Sequence, residues 1–237
     1  MRENPIVVAL DLPRDEAISL ADTLKGSVSW LKVGMTLFYA EGPEILASLR
    51  EKGFNLFVDL KLHDIPHQVT GAAAQMSRLG AGMFTVHASG GSAMMAAAVE
   101  SSRRAAEEVG VAAPKVLAVT VLTSTDDAGL AEVGVPATAA EQVRRLGVLA
   151  KRAGVDGLVC SPWEAAEMRA IMGEDALVVT PGVRPAWAES GDQARVATPA
   201  MALAAGASHL VVGRPITAAP VPAHAVQRIL SEIEMGQ

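Results

Sequence analysis

The sequence predicts a closed (β/α)8 TIM barrel, and three observations carry that prediction. Eight short apolar runs recur along the chain, at 6–10, 30–33, 56–60, 83–87, 115–121, 157–160, 177–180 and 209–212. They are apolar at consecutive positions, as strands covered on both faces are. Most run into a polar or Gly/Pro turn and then a helix-like stretch. Eight such units in 237 residues suit a closed barrel better than an open doubly wound sheet. No linker, charge run or low-complexity segment divides the chain, so a single domain spanning 1–237 is expected.

The elements follow in order. The first run, "IVVAL", ends at Asp11, and the second, "WLKV", carries Lys32. The third, "LFVDL", carries Asp59, with Lys61 and Asp64 just beyond it. The fourth, "MFTVH", ends at His87, and the fifth, "KVLAVTV", leads to Thr123. After the sixth, "GLVC", Ser161, Pro162 and Glu164 read as N-cap, first helical position and capping-box partner. The seventh, "LVVT", opens into a long aperiodic stretch, 180–193, that holds Arg184 and Gln193. Such loops in compact barrels are usually lids or binding loops. Thr198, Pro199 and Gly206 then bracket a short helix as cap, first residue and stop. The eighth, "HLVV", runs into Gly213, Arg214 and Pro215, a backbone N–H and a guanidinium where barrels of this type often bind phosphate.

Composition excludes several function classes. The net charge is −6, and no Lys/Arg cluster exceeds Arg103-Arg104 or Arg144-Arg145, so no nucleic-acid surface is expected. A local basic pocket for one phosphate remains compatible with that balance. The single cysteine, Cys160, forbids an internal disulfide framework and fits a reducing compartment. The N-terminal stretch lacks an apolar core followed by a small-residue cleavage site, and no apolar run nears the ~18 residues of a membrane helix. A cytoplasmic protein with no membrane association is therefore expected. Ala and Met read as helix and core filler.

The charges fall where a barrel does its chemistry, at the C-terminal ends of the strands. Residues two apart in a strand share a face, so Asp59 and Lys61 point the same way. An outward face would press both against the apolar backs of helices, so the barrel mouth is the cheaper place. With Asp11 and Lys32 they form a mixed cluster whose members keep one another ionised. A purely structural network would also gather charges, but a buried ion pair is a weak stabiliser once desolvation is counted. A ligand accounts better for four charges at the mouth. His63 and His67 are four apart, yet Pro66 between them argues against a shared helical face, and no metal site is expected. His87 reads as either a pocket-lining or a hydrogen-bonded wall residue. Cys160 precedes a helix start, which can activate a thiol, but with no partner residue evident it reads as a buried wall thiol.

The segment "DLKLHDIP", 59–66, resembles the signature of the orotidine 5′-phosphate decarboxylase family, Asp-x-Lys-x-x-Asp followed by Ile-Pro. The likeness extends through "VVALD", "LKVG", "VHASGG", "AVTVLTS", "VTPGVRP", "GDQ" and "VVGRP", in order along nearly the whole chain. The resemblance implies a homodimeric barrel that converts orotidine 5′-monophosphate to UMP and carbon dioxide without metal or organic cofactor. It implies Lys61 as proton donor and Asp59 beside the substrate carboxylate, with Lys32 and Asp64 completing an alternating charged array. Asp64 and Ile65 would reach into the partner subunit's site. Asp11 and Lys32 would contact the ribose, and Thr123 the pyrimidine region. Gln193, Gly213 and Arg214 would grip the phosphate, assisted by Arg184. The family pattern continues Ile-Pro-Asn-Thr, whereas His67 and Gln68 follow Pro66 here, so Gln68 stands where a threonine ordinarily serves the ribose. Two alternatives share part of the pattern: a magnesium-dependent keto-sugar-phosphate decarboxylase or hexulose-phosphate synthase, and a barrel that binds a nucleotide without catalysis.

Overall fold

Strand alternation divides the apolar residues into two sets, and the barrel is what reconciles them. In the computed structural model, which describes residues 4–188 and 197–236, the strands are β1 (Ile6–Ala9), β2 (Trp30–Gly34), β3 (Asn55–Leu62), β4 (Met83–His87), β5 (Lys115–Val119), β6 (Gly157–Val159), β7 (Leu177–Pro181) and β8 (His209–Val212). Among the described residues they pair in parallel in sequence order, and β8 closes on β1. The eight apolar runs are these eight strands, with ends displaced by at most two residues.

Ile6, Val8, Leu31, Val33, Val58, Phe84, Val116 and Leu210 face the helices and join one large buried cluster. Val7, Ala9, Phe57, Met83, Leu117, Val179 and Val211 form a second cluster, which fills the barrel interior. The interior is tight. A Cβ added at Gly157 would lie 2.2 Å from the Leu177 carbonyl oxygen and 2.9 Å from a Leu117 methyl, so glycine there lets the flanking strands close. Lower in the barrel, Trp30 packs edge-on against His209 with ring centroids 5.8 Å apart. The apolar interior ends toward the C-terminal rim, where Asp11, Lys32, Asp59 and Lys61 take over.

The helix signals fared unevenly. Thr198 caps the helix Pro199–Ala204 by accepting a hydrogen bond from the Met201 N–H at 3.2 Å, and Gly206 follows with φ +100°. Ser161, by contrast, is not the N-cap it was expected to be. That helix spans Ala165–Met172 and starts from Glu164. The Ser161 N–H does donate to Glu164 Oε2 at 2.8 Å, so half of the capping box forms. The Glu164 N–H bonds the Ser161 carbonyl three residues back at 3.1 Å, which makes a tight turn in place of the first helical turn.

Candidate active site

The site is built around a break in the pairing of β3 with β4. Phe57 pairs with Met83 and Val58 with Phe84, but the next pair is Leu62 with Val86. Three residues, Asp59, Leu60 and Lys61, therefore lie opposite the single residue Thr85. This is a β-bulge, a device that re-aims side chains at the rims of barrels. Lys61 absorbs the surplus chain by adopting φ +51°, and it is the only non-glycine with positive φ among the described residues. A left-handed residue with a Cβ costs about 1–2 kcal/mol, so other contacts must hold it.

Those contacts are on Asp59 and Thr85. Lys61 Nζ donates to both Asp59 carboxylate oxygens at 3.0 Å, and its main-chain N–H donates to Thr85 Oγ1 at 2.9 Å. Lys32 Nζ lies 3.9 Å from Asp59 Oδ2 and donates to Asp11 Oδ1 at 3.1 Å. The charges thus alternate along a line from Asp11 through Lys32 and Asp59 to Lys61. The Lys32 and Asp59 side chains are only 10% and 14% exposed. Hydrogen bonds between such ionised partners are about twice as strong as neutral ones. The four charges sum to zero, and the two ends of the array, Asp11 and Lys61, have side chains 63% and 27% exposed.

A cavity of about 370 Å³ lies over this array, within the range of small-ligand sites. Its wall includes Asp11, Lys32, Asp59, Lys61, Thr123, Arg184, Gly213 and Arg214, so the structure brings most of the expected residues together. Phe57, Val119, Val159 and Val211 supply an apolar floor that the sequence reading did not assign to a site. Arg184 Nε is buried with no hydrogen-bond partner among the described residues. Asp64, Ile65 and Gln68 do not line this cavity. They are exposed on the rim, Ile65 at 62%, and among the described residues Asp64 Oδ1 accepts only the neighbouring Ile65 N–H, at 2.7 Å. Gln193 lies outside the described residues.

The remaining candidates resolve into walls. His87 stacks on His63 with ring centroids 5.3 Å apart, and its Nδ1 shares a hydrogen bond with Ser89 Oγ at 2.8 Å. Burial first, then the nearby His63 and Lys61 charges, hold His87 below the usual imidazole range. Cys160 lines the cavity but is buried, and burial raises its thiol far above the usual range. That is the opposite of an activated nucleophile.

Gly34, at the end of β2, was not singled out as a site residue, but the array depends on it. A Cβ there would come within 2.9 Å of Lys32 Nζ and 3.0 Å of Asp11 Oδ1. No backbone blocks the substitution, so the charged tips must give way. Gly34→Ala is expected to fold with nearly unchanged thermal stability while separating Lys32 from Asp11, as a crystal structure of the variant would reveal. An undisturbed Lys32–Asp11 contact in that variant would contradict this reading of the glycine.

Residues 4–229 match the family described as orotidine 5′-phosphate decarboxylase / HUMPS. A protein from Paramagnetospirillum magneticum named orotidine 5′-phosphate decarboxylase is 50% identical over 231 residues, covering 97% of this chain and 98% of that protein. One of the same name from Alkalilimnicola ehrlichii is also 50% identical, covering 98% of this chain and 97% of its own length. The crystal structure of orotidine 5′-phosphate decarboxylase from Lactobacillus acidophilus superposes with a TM-score of 0.86 at 40% identity, covering 98% of this chain and 99% of that one. The chain belongs to the orotidine 5′-phosphate decarboxylase / HUMPS family.

Proposed function

We propose that this chain decarboxylates orotidine 5′-monophosphate to UMP and carbon dioxide. The observation that carries the reading is the Lys61 ammonium, held by both Asp59 oxygens at 3.0 Å at one end of a neutral charge array, in the wall of the cavity. Its two contacts to Asp59 engage at most two of its three protons, so at least one is available to the cavity.

The chemistry follows from that placement. Breaking the carbon–carboxylate bond leaves its electron pair on carbon 6 of the pyrimidine. An ammonium fixed beside that carbon stabilises the developing negative charge and then donates the proton that makes UMP, after which solvent reprotonates the amine. Asp59 orients Lys61 and lies beside the substrate carboxylate, so charge leaves the neighbourhood of an anion and arrives beside a cation. That difference favours the transition state over the ground state. Asp11 and Lys32 take the ribose and Thr123 the pyrimidine edge. Arg184, Arg214, the Gly213 N–H and Gln193 take the phosphate. The array being neutral, the two guanidiniums leave the cavity with a surplus of positive charge suited to a phosphate dianion.

Charge complementarity also bears on the family's other branch, the magnesium-dependent keto-sugar-phosphate enzymes. Loss of absorbance by orotidine 5′-monophosphate, followed with EDTA present, separates the two. The expected result is conversion to UMP that EDTA leaves undiminished. No conversion, or conversion abolished by EDTA, would overturn the assignment.

The working unit is proposed to be a homodimer in the cytoplasm, with Asp64, Ile65 and Gln68 completing the partner's cavity. Their exposure on the rim, outside their own chain's cavity, supports this. No helix among the described residues is long and apolar enough to cross a membrane. Lys61→Ala and Asp64→Ala homodimers should each be inactive. After random subunit exchange, half the dimers are mixed and one of their two sites carries neither lesion, so about a quarter of wild-type activity should return. Verified heterodimers that stay inactive would show that Asp64 acts within its own chain.

A further inference from the structure

We infer that Thr85 is a positioning residue for this decarboxylation, acting through Asp59 and Lys61 without touching substrate; the inference rests on the function proposed above. Thr85 is fully buried, at 0% exposure, and does not line the cavity. In the sequence it is a β-branched residue in the apolar strand "MFTVH", where it reads as an ordinary strand former. Its place opposite the bulge gives it a second task.

The geometry closes a ring. The Lys61 main-chain N–H donates to Thr85 Oγ1 at 2.9 Å, and Thr85 Oγ1 donates to Asp59 Oδ1 at 2.9 Å. Asp59 Oδ1 in turn accepts from Lys61 Nζ at 3.0 Å. Directions are forced by chemistry, because an amide N–H only donates and an ionised carboxylate only accepts. The one hydroxyl proton must therefore point at Asp59. Lys61 is thus gripped at both ends, its backbone by Thr85 and its ammonium by Asp59, and Thr85 couples the two grips. The missing ladder partner of the bulge explains why a side chain is needed: Thr85 lies opposite three residues of β3, and its hydroxyl satisfies an N–H that the strand pairing does not. A valine would keep the shape and lose both hydrogen bonds. A serine would keep both and lose only a methyl.

That pair of substitutions is the test. Thr85→Val should lower kcat by roughly 10²-fold, the scale of a small misplacement of a reacting group, with KM for orotidine 5′-monophosphate little changed. Thr85→Ser should retain most of the wild-type kcat. In a crystal structure of Thr85→Val, Lys61 should leave its left-handed conformation or its ammonium should move from Asp59. Activity is read per folded protein, so a merely structural role would lower yield or thermal midpoint and leave kcat alone. If the valine variant does not fold, Thr85→Ala removes the same hydroxyl without the branched bulk and is compared with serine in its place. A hydroxyl-free variant with wild-type kcat, or a serine variant as impaired as the hydroxyl-free one, overturns the inference. Wild-type enzyme measured alongside keeps the two questions apart: an inert wild type counts against the decarboxylase reading, whereas an active wild type with an equally active Thr85→Val counts against Thr85 alone.

Discussion

A lysine must be held at one point of an apolar barrel with its charge intact and one proton free. The rest of the site follows from that constraint. Water would solvate the ammonium but let it wander, and a dry wall would fix it but penalise its charge. Asp59 resolves the conflict by meeting Lys61 Nζ with both oxygens at 3.0 Å. Charge-assisted bonds of this kind are about twice as strong as neutral ones, and here they fix the ammonium in one place. The bulge in β3 is how the chain supplies the needed direction. Strain concentrated at a single residue beside a cavity is a common mark of such pre-organisation.

The barrel supplies what a loop could not. Asp11, Lys32 and Asp59 project from or just beyond three adjacent strands, and those strands are locked by pairing on either side. Positions on paired strands are more precisely held than positions on loops. The interior cluster of Val7, Ala9, Phe57, Met83, Leu117, Val179 and Val211 keeps water from the underside of the array and raises the worth of every charge contact above it. Arg184 follows β7 and Arg214 opens the short helix Arg214–Thr217 after β8, so both guanidiniums stand at the same end of the barrel as the array.

Much of this was legible in the sequence, for physical reasons. Strand positions are set by apolar runs between turn residues, so all eight strands were readable. Asp59 and Lys61 do meet, as the two-residue period suggested, but the register shift between Val58 and Leu62, not regular alternation, brings them together. The array of Asp11, Lys32, Asp59 and Lys61 follows from charges in strands that otherwise exclude them. The positive φ of Lys61 was not readable, because a bulge is decided by the register of two strands and not by local composition. Thr85 was hidden for the same reason: nothing in "MFTVH" distinguishes a packing threonine from a bonding one. Gly34 drew no reading of its own, since the atoms it makes room for are the tips of Lys32 and Asp11, whose positions only the folded barrel fixes. Ser161 misled because its capping pattern is locally sound, yet the chain spends Glu164 on a tight turn.

The central claim is that the Lys61 ammonium both stabilises the carbanion and protonates it. Replacing Lys61 with alanine and following orotidine 5′-monophosphate loss, with circular dichroism to verify the fold, tests it most directly. General acid catalysis alone is worth ~10²–10⁴-fold and the electrostatic contribution adds to it, so a folded variant with turnover reduced by more than ~10⁴-fold is the predicted result. A folded Lys61→Ala protein that decarboxylates within about tenfold of wild type, less than general acid catalysis alone would cost, would contradict the account.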